Sequence, residues 1–286
     1  MSKMGSLVRI ENLCFRYFRS ERWALYNVNL LVEDNEFILV TGPSGCGKTT
    51  LCRCINGLIP HFYEGEYKGD VYILDRIRVK DHEPYELAEY VGMVFQDPES
   101  QLITSSVERE IAFGLENLGI PREEIIERIE WVLDLLNIRH LRKRAPYELS
   151  GGEQQKVAIA SVLALKPKVL VLDEPTANLD PASSAEILQL LQELRAKMQI
   201  NIILVEHRLS LIADKVDRIV LMDQGKIIAE GNPRVILGSK KAEVIGIEIP
   251  KVIKAYRELF GEEDWVPLNS REFAEVVMYA LESHRS

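Results

Sequence analysis

The segment GPSGCGKTT, Gly42–Thr50, constrains this chain more than any other. It fits G-x-x-x-x-G-K-[ST] without error. The apolar run Phe37–Thr41 precedes it and a helical stretch follows, which is the context the pattern requires. The first turn of a helix leaves its amides unpaired and carries partial positive charge, so a glycine-rich loop leading into it wraps a phosphate chain. The candidate phosphate-binding residues are therefore Gly42, Pro43, Ser44, Gly45, Cys46, Gly47, Lys48, Thr49 and Thr50. Lys48 reaches the β- and γ-phosphates as a point charge, and Thr49 offers a hydroxyl to Mg2+.

A second stretch has the same physical character. In LSGGEQQKVAIA, Leu149–Ala160, Ser150 is placed to cap a helix, and Gly151 and Gly152 let a ligand approach the backbone closely. One bound phosphate chain needs one cradle, yet the chain holds two, far apart in sequence.

Around these cradles the pattern is α/β. Strands are predicted at Val8–Phe15, Val28–Val32, Phe37–Thr41, Val71–Leu74 and Val91–Phe95, then at Val169–Leu172, Ile202–Val205 and Arg218–Met222. FILVTG and VLVLDE are apolar on both faces, as buried parallel strands are. LMDQGKIIAEG reads as a hairpin around Asp223–Gly225. Between Ser106 and Ala164 the strand signal disappears. Val107, Ile111, Leu115 and Leu118 share one helical face there, and Pro121 opens a second helix through Asn137. Two further helices are expected in the tail, within PKVIKAYRELFG and SREFAEVVMYALESH.

Composition narrows the function. With 35 Lys and Arg against 44 Asp and Glu, the formal charge is −9, so nucleic acid is not an expected partner. RKR at Arg142–Arg144 reads as a solvated loop. Cys14, Cys46, Cys52 and Cys54 have no metal or disulfide spacing and read as free thiols in a reducing compartment. There is no secretory h-region, and no apolar run approaches the roughly 18–20 residues of a membrane span. Any pore is expected to belong to another polypeptide.

Several further residues suit phosphate chemistry. VLVLDEP, Val169–Pro175, ends a buried strand in two carboxylates. Asp173 suits Mg2+, and Glu174 suits a base that activates water. His207 and Gln96 each follow a strand, where an imidazole can meet a γ-phosphate and an amide can serve Mg2+ and the attacking water. Phe15 and Phe18 are expected in a core. Tyr17 lies between packing and stacking on a base.

Together these residues resemble the ABC ATPases, the nucleotide-binding subunits of ABC transporters. The motifs stand in the family's order: an aromatic loop at Tyr17, Walker A at Gly42–Thr49, a glutamine loop at Gln96, the signature LSGGE at Leu149–Glu153, Walker B with its glutamate at Val169–Glu174, a D-loop at Asn178–Asp180, and a switch histidine at His207. The resemblance spans about Leu7 to Ile236. It implies a P-loop NTPase core with a mostly parallel sheet and an N-terminal antiparallel β subdomain. A nucleotide-binding domain over 1–235 would carry an inserted helical subdomain at about 97–165, followed by a C-terminal helical extension over 236–286 that is a candidate dimerisation element. It implies ATP and Mg2+ as cofactors, with Thr49, Gln96 and Asp173 on the metal and Glu174, His207, Gln96 and Lys48 as catalytic residues. It also implies that two copies, or one copy and a homologous ATPase, pair head to tail. Each ATP then lies between the Walker A loop of one chain and the Ser150–Gly152 turn of the other, with Glu153 and Asp180 completing the nucleotide-binding set.

Three softer features resemble the ATPases of energy-coupling factor importers, which take up vitamins and transition-metal ions. These are VFQDPESQLIT, LIPHFYEGEYKGDVYI and the helical tail. They imply a cytoplasmic subunit held on the inner membrane face by integral membrane partners, with Gln96–Ser106 lining the docking groove. EHR at Glu206–Arg208 departs from the Thr-His-Asp of many importers. A soluble ABC ATPase without a pore and a simple nucleotide kinase are the competing classes.

Overall fold

The computed structural model describes residues 6–261 and 265–283. Its strands form two sheets. The first is antiparallel, in the order β2-β1-β4-β5: β1 (Val8–Tyr17), β2 (Leu25–Val32), β4 (Gly65–Ile73) and β5 (Ile77–Arg78). The second has the order β10-β9-β3-β8-β7-β6: β3 (Phe37–Thr41), β6 (Val91–Val94), β7 (Val169–Asp173), β8 (Asn201–Val205), β9 (Arg218–Asp223) and β10 (Lys226–Gly231). Its pairs are parallel except β9 with β10, which form the expected hairpin. The fold is an α/β P-loop NTPase core with an antiparallel N-terminal sheet and an inserted helical region.

Helices occupy the connections. In chain order they are α1 (Lys48–Ile55), α2 (Leu58–His61), α3 (Pro84–Leu87), α4 (Pro98–Gln101), α5 (Val107–Asn117), α6 (Arg122–Leu135), α7 (Gly151–Leu163) and α8 (Pro181–Met198). After the sheet come α9 (Pro233–Gly238), α10 (Lys240–Val244), α11 (Lys251–Phe260) and α12 (Ser270–Ser283).

The period of two along the parallel strands sorts their side chains onto two cores. Phe37, Leu39, Leu170, Leu172, Ile202 and Leu204 join one cluster with the apolar faces of α5–α8. Ile38, Val40, Val169, Val171, Ile203 and Val205 join the other, with α1 and the antiparallel sheet. Both faces are therefore covered, as in parallel sheets generally. The tail belongs to the first core through Ile253, Tyr256, Val266 and Leu268. It is further fixed by Arg234, which pairs with Glu272 at 2.7 Å and lies 4.9 Å from the Trp265 ring. On α12, Met278, Tyr279 and Leu281 remain exposed.

Several expectations are corrected. β4 begins at Gly65, well before Val71, because its polar first half pairs with β1 from Tyr17 to Glu11. β2 likewise begins at Leu25, not Val28. α5 stops at Asn117 with Leu118 as its cap, and α6 stops at Leu135, with Asn137 already at φ 54°. RKR is not simply solvated: Arg142 bonds Glu108 and Glu130 at 2.5 Å each, and the Arg142 and Arg144 carbonyls accept from the amides that open α5. Phe15 is buried as expected, but Phe18 is 63% exposed because β1 has ended and the chain turns outward. The predicted tail helices are present, and α9 and α10 precede them. His284, at the end of the second, lies outside the described residues.

One close approach positions the signature helix. A β-carbon on Gly92, in β6, would lie 2.3 Å from Val162 Cγ1 on α7. Gly92→Ala should destabilise the chain by about 1–3 kcal/mol through overpacking. Urea unfolding measures this, and adding Val162→Ala should recover part of the loss.

Candidate active site

Strand register brings the predicted residues to one edge. Val205 lies opposite Val40 on one side and Asp173 on the other, and Val94 lies opposite Leu172. Four parallel strands therefore end level, and the loops leaving them carry Gly42–Thr49, Gln96, Glu174 and His207. The C-terminal edge of such a sheet is where ligands bind.

The glycine loop is shaped by a close backbone approach. Gly47 has φ +111°, and a β-carbon there would lie 2.3 Å from the Ala24 carbonyl oxygen. It is the N-cap of α1, with no side chain covering the first amides. Lys48, only 4% exposed, donates to the Gly42 and Pro43 carbonyls at 3.0 Å. Its ammonium is thus held inside the loop's curve. Cys46 is buried beside it, and burial raises its thiol pKa, so the thiol stays protonated. Ser44 and Gly45 are exposed at the loop's tip.

Across the sheet, Thr49 Oγ1 donates to Asp173 Oδ1 at 3.1 Å. Burial pushes the Asp173 carboxyl up, and the Thr49 bond partly opposes that. Among the described residues no cluster of three His, Cys, Asp or Glu side chains is placed to hold a metal alone. One hydroxyl and one carboxylate fit Mg2+, which takes few protein ligands and completes its shell with phosphates and water.

Glu174 follows immediately at φ 49°, a backbone region that costs a non-glycine residue roughly 1–3 kcal/mol and clusters at active sites. Its amide donates to the Val205 carbonyl at 3.0 Å, which fixes the turn. Its Oε1 meets His207 Nε2 at 2.9 Å. That hydrogen bond holds the Glu174 carboxyl below the ordinary range against a smaller opposing effect of burial.

The structure does not join every predicted residue to this cluster. Gln96 stands exposed at the end of β6, and no hydrogen bond among the described residues links it to Thr49, Asp173 or Glu174. Tyr17 sits at the end of β1 with its hydroxyl 3.1 Å from Thr50 Oγ1 and accepting from Arg53 at 3.2 Å. Its ring meets Phe15 edge-on at 4.8 Å. Arg53 was not singled out in the sequence; only its place on the helix after the glycine loop pointed to it.

Ser150 caps α7 and forms a capping box with Glu153: the Ser150 amide donates to Glu153 Oε2 at 2.8 Å and its hydroxyl donates at 2.9 Å. These bonds hold the Glu153 carboxyl low and commit it to shaping the turn. Ser150 and Gly151 are exposed. Asp180 caps α8, its Oδ1 accepting from the Ala182 and Ser183 amides at 2.9 and 3.1 Å.

Comparison with known proteins identifies the family. The family described as "ABC transporter" matches residues 25–177. The chain belongs to the ABC transporter ATP-binding family. A "Putative ABC transporter ATP-binding protein" of Pyrococcus abyssi is 46% identical over 255 residues, covering 89% of this chain and 91% of the relative. Among solved structures, cbiO1 from Clostridium perfringens, part of the ABC transporter complex cbiONQ, is similar with TM-score 0.75 and 31% identity, over 90% of this chain and 96% of that one. The ATP-binding cassette MJ0796, solved as a dimer bound to ADP and Pi, is similar with TM-score 0.68 and 30% identity, over 79% of this chain and 99% of that one. This ABC ATPase binds and hydrolyses ATP as the ATPase subunit of a transporter.

The Glu174–His207 contact has a pH consequence. The carboxyl titrates below its ordinary value, so the pair's stabilising effect is complete above that value and is lost as pH falls through the lowered one. In His207→Ala the Glu174 titration should move upward toward the ordinary carboxylate value. Carboxyl 13C shifts followed against pH measure this; an unmoved titration would show that the contact does not bear on Glu174.

Proposed function

We propose that this ABC ATPase energises a membrane importer of the energy-coupling factor type by closing and opening a head-to-tail dimer. The observation that carries the dimer is the pair of anion cradles. Ser150 and Gly151 of the turn are exposed and Gly152 is half-buried, and no hydrogen bond among the described residues ties the turn to Gly42–Thr50 of its own chain. In a head-to-tail pair it would face the partner's nucleotide; the similar MJ0796 cassette is a dimer with ADP and Pi bound.

Within each shared pocket the unpaired N–H groups of the Gly42–Thr50 loop hold the phosphates, and Lys48 neutralises their terminal charge. Thr49 and Asp173 would hold Mg2+, and Gln96, exposed at the end of β6, would join them there. Bound there, the ion supplies charge stabilisation for the transferring phosphoryl group. Glu174 accepts a proton from the water that attacks the γ-phosphorus while the bond to the ADP oxygen breaks. His207 orients Glu174 and meets the γ-phosphate. The partner's Ser150–Gly152 turn gains its charge-assisted contacts only while that phosphate is present. Its loss opens the pair. Tyr17 borders the base, and Asp180 faces the second chain.

Glu174→Gln should keep ATP affinity, lose roughly 10²–10⁴-fold in kcat, and accumulate a dimer with ATP and Mg2+. Light scattering with a steady-state ATPase assay measures both. A monomer that still hydrolyses would refute the role given to Glu174.

The importer type rests on likeness to cbiO1 and on the Gln96–Ser106 segment. Ile103 there is 67% exposed, and Phe62 and Tyr85 are exposed elsewhere on the chain. A helix of a membrane subunit would dock on Ile103, between the helical region and the core, and would hold the protein peripherally on the cytoplasmic membrane face. No described helix is long and apolar enough to cross a membrane. The chain should copurify from solubilised membranes with an integral membrane protein, and Ile103→Glu should abolish that while sparing ATP binding. Copurification unaffected by the charge would place docking elsewhere.

A further inference from the structure

The segment Glu174–Ser184 and the segment Glu206–Arg208 are stitched together at three points. At the first, Glu174 meets His207. At the second, the Glu206 carboxylate, 2% exposed, accepts from the fully buried Thr176 hydroxyl. Its other oxygen accepts from the amides of His207 at 2.8 Å and Arg208 at 3.0 Å. At the third, Arg208 donates from Nη1 to the Leu179 carbonyl at 3.2 Å and to Ser184 Oγ at 2.6 Å. Its Nη2 donates to the same carbonyl at 3.3 Å. Ser184 Oγ in turn donates to the Asp180 carbonyl at 2.8 Å.

A carboxylate taken out of water must have its lone pairs filled, and Glu206 draws its donors from both segments. A guanidinium presents a planar fork that can grip a carbonyl and a hydroxyl together, which a lysine cannot match. The two residues flanking His207 are therefore cross-braces between the switch loop and the D-loop.

The D-loop and the first turn of α8 also lie against the signature turn. A β-carbon on Gly151 would lie 3.2 Å from Leu179 Cδ2, and one on Gly152 would lie 3.1 Å from Ser183 Oγ. Lys156 of α7 pairs with Glu186 of α8 at 2.5 Å, one and a half turns further along. Leu179 thus has Arg208 on its carbonyl and the signature turn against its side chain.

We propose that Glu206 and Arg208 are positioning residues that lock His207, Asp180 and the Ser150–Gly152 turn of one chain into a single body. The histidine serving one nucleotide and the turn serving the partner's nucleotide are then set together. This rests on the shared-pocket dimer proposed above.

The test uses the Glu174→Gln background, where hydrolysis does not intervene. Adding Arg208→Met should raise the ATP concentration needed for half-maximal dimerisation roughly ten-fold, the size of a typical coupling between sites. Binding of a fluorescent ATP to the monomer should not change, because the guanidinium touches no residue of the glycine loop. Arg208→Lys should restore part of the loss. Ser184→Ala, a small change at the guanidinium's partner, covers the case in which Arg208→Met does not fold and should weaken dimerisation in the same direction. Dimerisation equal to that of Glu174→Gln alone would overturn the clamp and leave the dimer standing. An equal loss of monomer ATP binding would also overturn it, by showing a merely structural role. If Glu174→Gln itself stays monomeric with ATP, the shared pocket falls and the clamp falls with it.

Discussion

The level ending of β3, β7 and β8 is the constraint on which the site depends. Parallel pairing sets Val205 opposite both Val40 and Asp173, so three loops of unrelated sequence leave the sheet at one height. Thr49 then reaches Asp173, and Glu174 reaches His207, without any long side chain having to search for its partner. A shift of one residue in either pairing would turn each strand's alternate side chains to the opposite core. Because both cores are tightly filled, the register that buries the apolar residues is also the one that assembles the polar ones.

Electrostatics at this edge divide the two carboxylates. Asp173 is pushed up by burial and steadied by Thr49, whereas Glu174 is held down by His207. Neighbouring carboxyl groups with opposite shifts are the usual mark of separate tasks. Glu174 also sits in a strained backbone region with its amide fixed to Val205. The surrounding strands hold it there, and that rigidity suits the base role proposed for it.

Most of this was legible in the sequence because the signals are local. The glycine loop, the doubly apolar strands and the Asp-Glu pair each announce themselves within a few residues. What escaped depends on pairing across the fold. The polar half of β4 has no strand signature of its own and is ordered by β1. Arg142 looks solvated until Glu108 and Glu130 come beside it. Glu153 belongs to a signature motif, but its carboxylate is occupied by the Ser150 cap. Glu206 and Arg208 were visible only as a departure from a familiar triplet; their partners Thr176, Leu179 and Ser184 lie well upstream and become neighbours only through the sheet.

The central claim is that each nucleotide pocket is built from two chains. Its most direct measurement is complementation between two inactive variants, one carrying Lys48→Ala and the other Ser150→Arg. In a shared-pocket dimer the mixed pair concentrates both defects in one pocket and leaves the other whole. Mixing equal amounts should restore ATPase activity to roughly a quarter of wild type, half the dimers being mixed with one intact pocket each. A mixture as inactive as its components would contradict the account.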